Sequence, residues 1–171
     1  MQNAVGQVSD LIWLNNQTTQ NNRTASANHI HQIAHLERVL FDDAWTALSI
    51  GHWLSFTGHL AAVRLSLDGQ LIGYALIGQV FDSADLLRVG IAPDYQRQGI
   101  AQQLLTTVTA QLKQQSVERL LLEVREDNTA ARALYGKLGF QQIHIRKNYY
   151  KNTDGSRCDA LILQLDLTTC R

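Results

Sequence analysis

Apolar residues cluster from Val8 to Leu14 and then give way to Asn15-Asn16-Gln17-Thr18-Thr19-Gln20-Asn21-Asn22, a tract with little to bury. The contrast predicts a first strand followed by a mobile polar loop over residues 15–28. From Asn28, an available N-cap, the positions Ile30, Ile33, Leu36, Leu40 and Phe41 recur at helical spacing and predict a first helix. Trp45, Leu48, Trp53 and Leu54 predict a second, shorter helical piece. Two apolar runs follow, Leu60 to Leu67 and Gln70 to Val80, split by Asp68-Gly69. That dipeptide is a tight-turn signal, so the runs read as an antiparallel hairpin. Leu86 to Ala92 is a third strand, halted at Pro93, the only proline, which cannot donate to a ladder.

The period then changes. Ala101, Leu104, Leu105, Val108 and Leu112 fall on one helical face and predict an amphipathic helix from about Gly99 to Gln114. Leu120 to Val124 is a short strand. Asn128 is placed to cap a helix whose Ala131, Leu134, Tyr135 and Leu138 share a face, and Gly139 ends it. Phe140 to Ile145 and Ala160 to Leu167 are the last strands, with Thr153-Asp154-Gly155-Ser156 as a turn in the connection from Asn148 to Arg157. The alternation of elements gives an α/β class with a mixed sheet.

A length of 171 residues at 45% hydrophobic content is enough for one core, and residues 1–171 read as a single domain. Lys plus Arg and Asp plus Glu are 15 each, a formal net charge of zero that argues against direct nucleic-acid binding. No stretch approaches the roughly 20 apolar residues of a membrane span. Met1 to Leu14 lacks the basic start and apolar run of a secretory signal, so a soluble cytoplasmic protein is expected. Cys158 and Cys170 lack metal-site spacing and read as two free thiols. His31 and His35, four apart, have no third ligand nearby, so no metal is expected.

The chemistry concentrates where the third strand passes into the amphipathic helix. Free N–H groups at a helix start, together with the positive end of its dipole, cradle an anion such as a pyrophosphate, and Gly99 lets the backbone approach it closely. Alone, this stretch reads as an ordinary strand-to-helix turn. The loop Gln96-x-x-Gly99-x-Ala101 resembles the acetyl-CoA pyrophosphate motif of the GNAT N-acetyltransferases, and Asn128-x-x-Ala131-x-x-Leu134-Tyr135-x-x-Leu138-Gly139-Phe140 resembles that family's second motif. Leu122-Glu123-Val124-Arg125, Ile145-Arg146-Lys147-Asn148-Tyr149-Tyr150 and Asp154-Gly155 resemble the branch that acetylates the N-terminal alanine of a small-subunit ribosomal protein. Glu37, Phe41 and Trp45 resemble that branch's first-helix pattern, although Ala44 stands where it usually has proline.

The resemblance implies the GNAT fold, a mostly antiparallel mixed sheet flanked by helices, with acetyl-CoA as cosubstrate. It implies that Val89, Gly90 and Ile91 pair with pantetheine and that Arg97, Gln98, Gly99, Ile100, Ala101 and Gln102 hold the pyrophosphate. It further implies that Asn128 contacts the cofactor, that Glu123 is the general base and that Tyr135 is the general acid. The implied partner is the N-terminal peptide of a ribosomal protein. Other readings stay open on the residues alone. Outside the two motifs, Glu123 reads as a surface carboxylate paired with Arg125 or Arg146 and Tyr135 as a packed aromatic, while Asn148 to Tyr150 reads equally as a peptide-contacting loop or a plain aromatic hairpin. A family member acetylating a small amine or a lysine, and a noncatalytic acetyl-CoA-binding module, are the competing functions.

Overall fold

A computed structural model describes residues 8–168. In chain order these form β1 (Val8–Asn15), α1 (Asn16–Asn21), α2 (Arg23–Leu40), α3 (Ala47–Leu54), β2 (His59–Ser66), β3 (Leu71–Val80) and β4 (Ser83–Ile91). A single 3-10 turn (Pro93–Tyr95) leads to α4 (Ile100–Gln114), β5 (Arg119–Arg125), α5 (Thr129–Lys137), β6 (Gln141–Lys151) and β7 (Arg157–Asp166). The strands make one seven-stranded mixed sheet in the order β1-β2-β3-β4-β5-β7-β6. β4 and β5 pair in parallel, whereas β1/β2, β2/β3, β5/β7 and β6/β7 are antiparallel.

The chain gathers into two compact units. In the first, made of the described residues up to Gly78 with Arg88–Leu105, the core holds Leu14, Ile33, Leu36, Ile50, Leu54, Val63 and Leu76. Each such aliphatic side chain removed from water contributes about 1.5–3 kcal/mol. The Asp68-Gly69 turn joins β2 to β3 as expected: Gly69 has φ +83°, and the Ser66 amide donates to the Gln70 carbonyl at 2.8 Å. In the second unit, made of Gln79–Leu87 and the described residues from Thr106 onward, β5 buries Leu120, Leu122 and Val124. Successive strand side chains point to opposite faces, so Glu123 emerges on the other face of β5.

Residues 15–28 depart from the loop expected there: they are helical from Asn16 to Asn21 and again from Arg23. Asparagine supplies the reason. The Asn15 side chain accepts from the amides of Gln17 (3.0 Å) and Thr18 (2.9 Å), while Thr18 Oγ1 accepts from the Asn15 amide at 2.7 Å, which is a reciprocal capping box. Asn22, not Asn28, then caps α2 by accepting from the Ala25 amide at 3.4 Å. β6 also runs further than expected, through Arg146 to Lys151, around an irregularity between Arg146 and Tyr150. Cys158 is a free thiol; Cys170 lies outside the described residues.

Candidate active site

In the first unit, β4 delivers Val89, Gly90 and Ile91 directly into the loop that precedes α4. Gln96 ties the two together, its side-chain amide donating to the Ile91 carbonyl at 3.0 Å. Gln98 likewise donates to the Asp94 carbonyl at 2.8 Å. Arg97 (φ +58°) and Gly99 (φ +80°) both adopt left-handed backbone. Left-handed residues set among right-handed ones turn consecutive N–H groups toward one concavity, an anion-binding nest. The Gly99 carbonyl accepts from Gln103 as the first helical bond of α4. Ile100 and Ala101 therefore lie in the first turn, where N–H groups have no intrahelical acceptor. A Cβ on Gly99 would meet nothing within 4 Å, so the backbone there is open to an approaching group.

Gly90 is different. A Cβ there would lie 2.5 Å from Tyr74 Cε1 and 2.9 Å from Leu40 Cδ1, so this glycine admits the Tyr74 ring against β4.

In the second unit, Glu123 lies mid-strand in β5 with a side chain 26% exposed. Oε2 accepts from Arg146 Nη1 at 2.8 Å, and Oε1 accepts from the Tyr150 hydroxyl at 3.1 Å. Burial, followed by the negative charge of Glu123, raises the Tyr150 phenol well above its ordinary value, so it stays a donor to the carboxylate. Arg125 has other partners: it forks onto Asp127 (2.9 and 2.6 Å) and reaches Asn152 at 2.7 Å.

Asn128 links β5 to α5. Its amide donates to the Arg125 carbonyl at 3.1 Å, and its Oδ1 accepts from the Ala131 amide at 3.1 Å, which commits that oxygen to the helix cap. Two turns along, the Tyr135 ring is buried and lies edge-on to Phe140 at 5.5 Å. Burial alone lifts its phenol to about 12. Among the described residues, none hydrogen-bonds its hydroxyl.

Sequence reasoning missed Asp159. The run from Arg146 to Tyr150 in β6 faces only Ala160 to Cys158 in β7, so β6 carries two extra residues. Asp159 absorbs them by accepting from the Asn148 amide (2.8 Å) and Lys147 Nζ (2.6 Å), with Asn148 at φ +52°. Beyond this bulge Tyr150 reaches Glu123. No signal in the strand itself announces the bulge, because Asp159 lies on the partner strand. A cavity of about 440 Å³ is lined by Arg132, Gly136, Phe140 and Leu163 among others. No group of three or more candidate metal ligands occurs among the described residues.

The open seven-stranded mixed sheet is the fold of the GNAT acetyltransferases, and the chain belongs to that family. The model of the acetyltransferase (GNAT) family matches residues 27–140. Among relatives, the chain is 43% identical over 105 residues to the [ribosomal protein bS18]-alanine N-acetyltransferase of Escherichia coli K12, covering 61% of this chain and 70% of that one. It is 44% identical over 105 residues to the enzyme of the same name from Haemophilus ducreyi, covering 61% and 72%. The crystal structure of the ribosomal-protein-S18-alanine N-acetyltransferase from Escherichia coli superposes with a TM-score of 0.80 at 30% identity, covering 96% of this chain and 97% of that one.

Proposed function

We propose that this chain, as a single acetyltransferase domain, transfers the acetyl group of acetyl-CoA to a protein N-terminal α-amine, with the N-terminal alanine of ribosomal protein bS18 as acceptor. Similarity to the E. coli bS18-alanine enzyme over nearly the whole chain carries this reading. A ribosomal acceptor implies a cytoplasmic enzyme; among the described residues no helix is long and apolar enough to cross a membrane.

Acetyl-CoA supplies a thioester, an activated acyl carbon with a sulfur leaving group. The chain's part begins with the anion. Arg97, Gln98, Gly99, Ile100, Ala101 and Gln102 hold the pyrophosphate through nest and helix-start N–H groups, and the open backbone at Gly99 fits that task. Val89, Gly90 and Ile91 receive the pantetheine along the strand, with the Ile91 carbonyl already engaged by Gln96. Asn128 contacts the cofactor through Nδ2, since Oδ1 serves the helix cap.

Glu123 takes the proton from the acceptor ammonium, directly or through one water. A carboxylate has about four lone-pair sites, and Arg146 and Tyr150 use two, so acceptor capacity remains. Tyr135 acts on the leaving-group side. A phenol near 12 stays protonated at neutral pH, but a complete transfer to a thiolate of pKa about 8.5 is uphill by about 5 kcal/mol. Its contribution is therefore a hydrogen bond to the sulfur as negative charge develops there.

Proton chemistry favours the α-amine. With a pKa near 7.8 it is roughly a quarter neutral at pH 7.4, against roughly a thousandth for lysine, an advantage of about 3 kcal/mol. The test compares kcat/KM at fixed pH for a peptide starting Ala-Arg-Tyr, its N-terminally blocked twin with an internal lysine, and a polyamine. The free-amine peptide is expected to be fastest. Faster acetylation of either competitor overturns the assignment.

A further inference from the structure

The least expected side chain in the first unit is a carboxylate. Glu37 lies on the buried stripe of α2, four residues after Ile33 and directly after Leu36, and is 0% exposed. An uncompensated charge at such a position is very costly, so the fold must surround it with donors. It does. The Tyr74 hydroxyl donates to Oε1, the Trp45 backbone amide donates to Oε2 at 3.0 Å, and Arg88 Nε approaches Oε2 at 3.7 Å. Burial and the Glu37 hydrogen bond raise the Tyr74 phenol far above its ordinary value, so the hydroxyl remains a donor.

As a stabilising device this is a poor choice. Buried ion pairs are often neutral or worse against apolar residues of the same volume, whereas they do specify a single arrangement. What is specified here is the linker 41–46 between α2 and α3. Glu37 holds it at the Trp45 amide. Arg88 holds it at Asp43, donating to the carbonyl at 3.1 Å and pairing with the carboxylate at 2.8 Å, and lays its guanidinium over the Phe41 ring at 4.5 Å. Arg88 immediately precedes the Val89–Ile91 stretch, and the Tyr74 ring covers Gly90. Glu37 and Arg88 thus reach the linker, Arg88 and Tyr74 lie in or against the strand assigned to the cofactor, and Glu37 joins the other two.

We propose that Glu37, Tyr74 and Arg88 are positioning residues: they lock the linker 41–46 to β4 so that it forms a fixed wall for an extended N-terminal peptide. They act through the linker and do not touch the reacting atoms. The inference rests on the α-amine reading above for the identity of the acceptor, but not for the lock itself.

The test uses Glu37→Gln, Arg88→Lys and Asp43→Ala, the last at a side chain that is 78% exposed and safe for folding. Lysine keeps the charge of Arg88 but has no fork to reach Glu37 and Asp43 together. Amide hydrogen exchange is read first. In the folded variants the Trp45 amide is expected to exchange at least about tenfold faster while amides of α2 and β3 are unchanged, a local opening that general destabilisation would not produce. Kinetics are read second. KM for the Ala-Arg-Tyr peptide is expected to rise about tenfold in Glu37→Gln and Arg88→Lys. Acetyl-CoA binding and turnover of a small amine should stay within about twofold.

Unchanged Trp45 exchange in the folded Arg88→Lys and Asp43→Ala proteins overturns the lock. Faster Trp45 exchange with unchanged peptide KM, or peptide and small-amine rates falling in parallel, overturns its role in acceptor positioning. If wild type acetylates only the small amine, the α-amine reading and this acceptor role fall together, and the exchange data alone decide whether the lock exists.

Discussion

Replacing Tyr135 by phenylalanine separates chemistry from packing more sharply than any other single change in this chain. The ring is 6% exposed and meets Phe140 edge-on at 5.5 Å, contacts that phenylalanine preserves. The hydroxyl bonds no described residue, so its removal breaks no hydrogen bond among them. Stability should change by less than about 1 kcal/mol. For a chain of this length that keeps Tm within about 2–4 °C of wild type. If the hydroxyl donates to the departing sulfur, turnover falls about a hundredfold to a thousandfold. That loss should appear in kcat, with acetyl-CoA binding nearly unchanged, because the bond strengthens only as charge builds on the leaving group. Since the phenol is held near 12, no limb from Tyr135 should appear in the wild-type pH–rate profile below about pH 11. The assay is steady-state acetylation followed by thiol release, beside a thermal melt. Turnover within a few-fold of wild type would return Tyr135 to the role of a packed aromatic, and a large drop in Tm would mean that the hydroxyl has a structural task the geometry does not reveal.

Glu123→Gln should lower kcat by about a hundredfold or more, while the loss of its half-exposed pair with Arg146 costs under about 1 kcal/mol; equal rates in the two proteins would refute the base assignment. Gly90→Ala should destabilise by about 1–3 kcal/mol through the clash with Tyr74, whereas Gly99→Val should abolish the thermal shift produced by acetyl-CoA. A Gly99→Val protein that keeps the full shift would remove the pyrophosphate from that loop. Stability should also fall as pH rises above 10. Tyr135 is raised in the folded state, so its stabilisation is complete below the unfolded value of 10.0 and is lost as pH climbs to about 12, a total of about 3 kcal/mol. Chemical denaturation between pH 9 and 12 checks this, and Tyr135→Phe should remove that part of the slope.

The elements that were legible in the sequence are those whose signals are local. The Asp68-Gly69 turn, the Asn128 cap, the Gly139 stop and the helix from Ile100 all depend on a few neighbouring residues, and each formed where those residues put it. The strand-to-helix loop before α4 was legible for the same reason, since strand, turn glycine and helix start are contiguous. Local chemistry also misled. The tract from Asn15 to Asn22 carries little to bury and reads as loop, yet the same asparagines cap two helices, and the packing of Ile33 and Leu36 sustains the second. Glu37 escaped notice as a core residue because a carboxylate interrupts a hydrophobic pattern; its partners Tyr74 and Arg88 lie 37 and more residues away. Arg146 was one of two candidate partners for Glu123, and only tertiary placement decides between them, since Arg125 turns to Asp127 and Asn152. The β6 bulge depends on Asp159 across the strand pair, a register effect that no run of residues in β6 encodes.

The most direct test of α-amine acetylation is an intramolecular competition. A single peptide beginning Ala-Arg-Tyr, with a free N-terminus and one internal lysine, is incubated with isotopically labelled acetyl-CoA at pH 7.4, and tandem mass spectrometry locates the label in the singly acetylated product. The account predicts the label on the alanine nitrogen and its disappearance from the product in Glu123→Gln. Label on the lysine side chain, or equal label on both amines, would contradict it.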